Sequence, residues 1–327
     1  MAMIKNATAQ PFTATLTRDS ARLAALAGEW QAIEGRAPFC SWRWLESWWR
    51  HYQHPAAELF VVEVRNQEHE LVGLAPCYLS RSLSSGRIVR FLGSGEVCSD
   101  YTSLLAKPGL ERQVADSVAD WLVNEGSGRW DLLELGGFEA ADPAISRLCE
   151  KLESSGEFVT RYPDLSCWRV NLPGDWETYL GTLSKSRRER TRSLLRRNFE
   201  IGAAVLRVAT TTADLERGFE ILVDLHQRRR QSLGQPGCFA SKRFTNFHRE
   251  VSRRFFESGQ LRLMWTELSG LPISAEYGLV SGDTVYYYQG GFDPDFAEQR
   301  PGWLALASSL KLAIEQGYRH YDFLRGD

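Results

Sequence analysis

Phe292-Asp-Pro-Asp-Phe-Ala-Glu-Gln-Arg-Pro-Gly-Trp303 carries the chain out of a tyrosine-rich apolar run and into a regular amphipathic one. Pro301 suits the first position of a helix, where its missing N–H costs nothing and its fixed φ is already helical. Trp303, Leu306, Ala307, Leu310 and Ile314 then recur at helical spacing, and Gly317 stops the pattern. The spacing predicts a helix over 302–316. Its first turn would offer the main-chain amides of Gly302, Trp303 and Leu304 beside Arg300, a place for a phosphate or pyrophosphate. An ordinary helix start with a solvated arginine fits the same residues.

Working outward, 261–268, 273–280 and 284–289 read as strands, the last two joined by Ser281-Gly282-Asp283, and 319–324 reads as a final strand. Before them come a strand at 166–172, helices at 175–183 and 187–199, a strand at 204–209, and helices at 212–233 and 241–258 separated by Gly234-Gln-Pro-Gly237. The first half has a similar order. Helices at 20–35 (capped by Ser20) and from Ser41 precede strands at 58–65, 71–80, 87–92 and 101–106, then a helix at 110–125, a strand at 130–135 and a helix at 142–155. The pattern is α+β, with largely antiparallel sheets flanked by helices, and the 327-residue length suits two domains, 1–159 and 160–327.

Composition excludes disordered, collagen-like and coiled-coil classes: 43% of residues are hydrophobic and 24% charged. The net charge of -2 conceals a split, with 15 basic and 21 acidic side chains up to residue 160 against 24 and 20 beyond it. An anionic ligand should therefore favour the second half. The absence of a long apolar run makes a cytoplasmic, non-spanning protein the expectation. Six dispersed cysteines without a C-x-x-C pair point to buried thiols rather than a metal site or a disulfide framework, and no neighbour in sequence suggests a catalytic thiol. P-loop, H-E-x-x-H and G-x-S-x-G patterns are missing, and no metal is expected. The terminal Arg325-Gly326-Asp327 carries no implication of cell adhesion.

Lys185-Ser-Arg-Arg-Glu-Arg-Thr-Arg192, extended by Arg196-Arg197, holds seven basic residues and one acid, with Ser186 and Glu189 at capping-box spacing. Such a run is a solvated face or a collector of phosphates, and it lacks the aromatic interleaving of a base-stacking platform. His226 and Arg229 share a helix face. Tyr286 and Tyr288 should point to one side of their strand and Tyr287 to the other, while Glu276 is a carboxylate among apolar neighbours in the adjacent strand. Half-buried structural residues and site residues both satisfy these patterns.

Leu225-His226-Gln-Arg-Arg229-Arg-Gln-Ser-Leu-Gly234-Gln-Pro-Gly237-Cys-Phe239, Pro301-Gly302, and Gly317-Tyr-Arg-His-Tyr-Asp322-Phe-Leu-Arg325-Gly326-Asp327 resemble the CelD-type acetyltransferases of the GNAT superfamily, related to FemAB-like aminoacyl transferases. The likeness covers about 165–327. Ser41-Trp-Arg-Trp-Leu-Glu-Ser-Trp-Trp49, Gly73-Leu-Ala-Pro76 and Phe91-Leu-Gly-Ser94 are similar to the longer members with tandem GNAT-like domains, and Arg230 departs from the tryptophan common there.

The resemblance implies a V-shaped mixed sheet, an acetyl-CoA or other acyl-CoA donor, an amine or hydroxyl acceptor, and a bacterial setting tied to cellulose or other exopolysaccharide production. Aminoacyl-tRNA as donor, or a non-catalytic scaffold, are the alternatives. In the acyltransferase reading Arg300, Gly302, Trp303 and Leu304 hold the pyrophosphate, and a main-chain N–H between Tyr286 and Gln289 polarises the thioester. Glu276 or His226 takes the acceptor's proton, and Tyr286 or Tyr288 supplies the leaving thiolate's. Lys185, Arg188, Arg229, Asp322 and Arg325 contact substrate.

Overall fold

The computed structural model describes residues 12–163 and 165–326. By internal packing the chain divides into two compact units, Met1–Asp164 and Leu165–Asp327.

In the first unit, β1 (Thr13–Thr17) leads to α1 (Ser20–Ala25), α2 (Ala27–Gln31) and α3 (Trp42–Tyr52). The single helix expected over 20–35 is broken at Leu26, and its cap is Asp19 rather than Ser20, whose hydroxyl instead accepts the Trp49 indole N–H at 2.9 Å. Ser41 caps α3 as its sequence suggests, accepting from Trp44 N. The aromatic face of α3 is core, and its large rings stay compatible with burial because their N–H groups find oxygens: Trp44 donates to Ser99 Oγ at 2.8 Å.

A meander follows, β2 (Ala57–Arg65), β3 (Leu71–Ser82) and β4 (Gly86–Phe91), antiparallel throughout. The run at 101–106 contributes only β5 (Leu105–Ala106), and that at 130–135 only β6 (Leu132–Leu133), parallel to β4. Between them α4 (Glu111–Val123) buries Val114, Val118 and Leu122 against the sheet, and α5 (Pro143–Ser154) adds Ile145 and Leu148 to the same core. Gly73 permits this approach, since a Cβ there would lie 2.4 Å from Val114. β1, which pairs with β2, has no apolar run to announce it: Thr-Ala-Thr-Leu-Thr forms a half-exposed edge strand.

The second unit opens with a strand and two helices of its own and then repeats the strand–helices–meander–helix–strand order. β7 (Cys167–Asn171), α6 (Trp176–Thr182), α7 (Lys185–Leu195), β8 (Ala204–Val208), α8 (Thr212–Gln231) and α9 (Lys242–Glu257) precede the meander β9 (Leu261–Leu268), β10 (Leu271–Ser281) and β11 (Thr284–Phe292). α10 (Pro301–Glu315) then crosses to β12 (His320–Arg325), parallel to β11, and the sheet order is β7-β12-β11-β10-β9-β8. The cap of α7 is Ser184, two residues earlier than the Ser186 box, and past Leu195 the helix continues as a π turn, Arg196–Ile201. α10 packs Leu310, Ala313 and Ile314 against Val285 and Tyr321. α8 closes on the sheet at Gly218, where a Cβ would meet the Trp265 ring at 2.9 Å.

None of the described cysteines is in a disulfide. Cys40 and Cys77 are buried, Cys98 is exposed, and the other three lie between, so the expectation of mostly buried thiols holds only in part.

Candidate active site

Two irregularities open the second sheet where β11 meets its neighbours. β12 pairs with β11 only from Thr284–Tyr286 to His320–Asp322; no described residue of β12 pairs with β11 beyond Tyr286. β12 then kinks, with Leu324 at φ 59° and its N–H held by Asp322 Oδ1 at 2.8 Å. On the other side the register with β10 jumps from Tyr277–Gln289 to Gly278–Tyr287, leaving Tyr288 as the extra residue of a bulge. A cleft of about 410 Å³ occupies the opening, lined among others by His226, Arg229, Glu276, Tyr287, Gly302 and Phe323.

Glu276 stands on β10 opposite Gly290 and is 3% exposed. Ser309 Oγ of α10 and Tyr321 OH of β12 both donate to its Oε1, so the described hydrogen bonds leave Oε2 to the cleft. Burial raises the carboxyl above the usual range, and the two donors offset part of that rise. Tyr287 faces the same cleft, its hydroxyl pushed up by burial and by the Glu276 charge, so it stays protonated.

At the cleft's end α10 begins. Arg300 is the N-cap in a left-handed conformation (φ 47°), without a side-chain cap, and is solvent-exposed. Leu304 N already donates to Arg300 O at 3.0 Å, so the expectation of three available amides is corrected to two, those of Gly302 and Trp303. The Leu304 side chain is core, packed with Leu194 and Ile273, and the Trp303 indole donates to Thr191 Oγ1 of α7 at 3.1 Å. Gly302 lines the cleft, where a Cβ would press within 3.3 Å of the Phe292 ring. Arg229 lies over the other part of this wall, its guanidinium 4.8 Å from the Phe292 centroid.

The remaining residues divide. His226 is 2% exposed and lowered in pKa by burial, which keeps the imidazole neutral. Tyr286 is buried opposite Asp322, and Tyr288 reaches His248 Nε2 of α9 at 3.1 Å; neither is among the cleft's lining residues, whereas Tyr287 is. Lys185, Arg188, Asp322 and Arg325 are likewise not among them. Gln289 turns its side-chain amide to Cys238 Sγ at 3.6 Å. That thiol also lies 3.6 Å from His226 Nε2, a neighbour that sequence reasoning missed because it stands 12 positions and a chain reversal away.

Residues 185–327 match the family model described as an acetyltransferase (GNAT) domain. Likeness of fold to solved structures extends over both units. The solved structure of FemX covers 93% of this chain, with 87% of its own length matched, a TM-score of 0.62 and 11% identity. L-PGS from Bacillus licheniformis covers 94% with 79% of its own length, a TM-score of 0.54 and 12% identity. A conserved protein of unknown function from Bacteroides thetaiotaomicron covers 97% with 90% of its own length, a TM-score of 0.51 and 10% identity. At these identities the likeness is one of fold. No curated protein matches the chain in sequence.

The helix of the first unit that corresponds to α10 is also without a side-chain cap, but it carries an acidic residue in its first turn. This helix, α4, has Leu110 at the N-cap, and Glu111 accepts from Gly109 N at 3.0 Å, which sets a negative charge beside its first-turn amides and disfavours an anion there. No helix among the described residues is long and apolar enough to cross a membrane, and none of their His, Cys, Asp and Glu side chains form a group able to hold a metal.

Proposed function

We propose that the second unit is an acyl-CoA-dependent N-acyltransferase working in the cleft between β11 and β12. The observation that carries this reading is one continuous opening with an anion-ready helix start at one end and a buried, cleft-facing carboxylate within it. The amides of Gly302 and Trp303, with Arg300, hold the donor's pyrophosphate. The edge of β11 past Tyr286 turns main-chain N–H groups toward the thioester carbonyl, where charge develops during attack. An alkyl ammonium has a pKa of about 10.4 and must lose a proton before it can attack. Glu276, whose raised pKa makes it a stronger base than a surface carboxylate, accepts that proton, and Tyr287 protonates the departing thiolate.

Acetyl is the donor group we favour, with the acceptor an amine among exopolysaccharide precursors in the cytoplasm; the likeness of residues 225–239 and 317–327 to CelD-type acetyltransferases supports this. Thermal shift against acetyl-CoA tests the donor: stabilisation is expected, and it should vanish in Gly302→Trp, whose side chain fills the cleft against Phe292. No shift with any coenzyme A ester overturns the reading.

A second reading, aminoacyl transfer from tRNA, draws on the exposed Arg187, Arg190, Arg196 and Arg197 of α7 and its π turn, whose parent helix packs on α10. Saturable tRNA binding that weakens steeply with salt, in a protein unmoved by acetyl-CoA, would favour it.

A further inference from the structure

Cys238 belongs to a connected set of side chains beside the cleft that the mechanism above does not use. Gln227 Nε2 donates to Pro236 O at 2.8 Å, which fixes the orientation of its amide and turns Oε1 toward His226 Nδ1, 3.2 Å away. His226 therefore carries its proton on Nδ1. Nε2 is left with a lone pair 3.6 Å from Cys238 Sγ, and Gln289 Nε2 donates to that sulfur at the same distance. The order is an orienting amide, an imidazole, a thiol, and a donor aimed at the sulfur, the arrangement that activates a thiol as a nucleophile.

The surrounding chain fixes this set tightly. Phe239 meets the His226 ring edge-on, with centroids 5.0 Å apart. A Cβ on Gly237 would fall 2.2 Å from Gln227 Oε1, and one on Gly291 would fall 2.3 Å from His226 N, so both glycines are needed for the helix, the loop and the strand to come together. His226 lines the cleft, as do Gly290 and Gly291 next to Gln289; Cys238 is not itself a lining residue but is partly exposed directly behind His226.

We infer that Cys238 is an acyl-accepting nucleophile, so that transfer runs in two steps through a thioester on Cys238. The inference rests on the acyl-CoA reading, and replaces its direct attack by two steps in which His226, in place of Tyr287, protonates the leaving coenzyme A thiolate. In the first step His226 Nε2 takes the Cys238 proton and Sγ attacks the donor carbonyl. The carbonyl's bond to the coenzyme A sulfur breaks as its bond to Sγ forms, and the imidazolium returns the proton to the leaving thiolate. One thioester replaces another, so no oxidant or further reactant is required. In the second step the acceptor amine displaces Cys238, with its proton passing to Glu276 or His226 and one returning to Sγ.

The test uses the full chain and acetyl-CoA without acceptor, followed by acid quench and peptide mass spectrometry. One equivalent of coenzyme A should be released, and the Cys238 peptide should carry one hydroxylamine-labile acetyl group. Cys238→Ala should lose the label and keep the acetyl-CoA thermal shift, while His226→Gln should label about 100-fold more slowly. A normal thermal shift with no acetyl on Cys238 overturns the covalent step and leaves the donor reading intact; no shift in the wild type overturns the donor reading and the step with it. Iodoacetamide separates these independently of donor: Cys238 should react at least about tenfold faster than Cys98 at neutral pH, with the advantage lost in His226→Gln. Equal rates overturn the activated pair itself.

Discussion

Replacing Glu276 by Gln isolates the charge of the cleft carboxylate from its shape. Both donors, Ser309 Oγ and Tyr321 OH, meet the same oxygen, Oε1, and a glutamine carbonyl can accept both, so the buried network survives. What changes is the atom left to the cleft, from a proton-accepting oxygen to an amide. Loss of a general base typically costs 10²- to 10⁴-fold, so kcat should fall by that much, about 2.7 to 5.4 kcal/mol of barrier, with KM for acetyl-CoA little altered. The pH profile gives a second readout. Only the ionised form accepts a proton, so wild-type rate should fall as pH drops through the raised pKa of Glu276, and the Gln variant should lack that limb.

Stability should move the other way. A carboxyl raised on folding favours the folded state below its unfolded pKa, and that contribution is lost as pH rises through the folded value. Glutamine has no such loss, so the variant's Tm relative to wild type should rise with pH over that window. The assays are steady-state acetyl transfer from pH 5 to 9 and thermal unfolding over the same range. A variant retaining kcat within about threefold of wild type, well short of the loss expected for a general base, would refute the assignment of Glu276 as base.

Gly237→Ala forces a side chain into a backbone conformation at φ 72° and ψ 151°, and against Gln227; urea unfolding should show a loss of about 1 to 3 kcal/mol. Leu304→Ala empties a fully buried position between α7, α10 and β10 and should cost about 2 to 5 kcal/mol by the same measurement. Burial pushes the Cys40 thiol up to about 12 and Cys77 up as well, so both should resist alkylation in the native protein, where exposed Cys98 reacts, and become labelled only after denaturation. Replacing Arg187, Arg190 and Arg196 by Gln should leave Tm nearly unchanged and slow association of an anionic donor, with the difference shrinking as salt is raised.

The local grammar of the chain was legible: the cap at Ser41, the meander hairpin around Gly282, and a helix opening at Pro301 all appear where residue spacing puts them. Spacing failed where partners are distant. β1 is a polar edge strand recognisable only by its pairing with β2, and the cap of α7 moved to Ser184 because a capping side chain and a mid-turn one look alike in sequence. The bulge at Tyr288 likewise depends on how β11 lies against β10, so strict alternation could not reveal that Tyr287, rather than Tyr286 or Tyr288, lines the cleft.

By itself the sequence determined the helices, most strands, the two-part α+β order and the basic character of the second half, because these follow from periodicity and composition over a few residues. Tertiary structure decided what each polar residue does. It brought Glu276 to Ser309 and Tyr321 and Cys238 to His226 and Gln289, placed the Leu304 side chain in the core, and limited the available amides of α10 to two. A side chain's chemistry depends on solvent exclusion and on groups within hydrogen-bond reach, and here those groups arrive from 12 to 51 residues away in the chain.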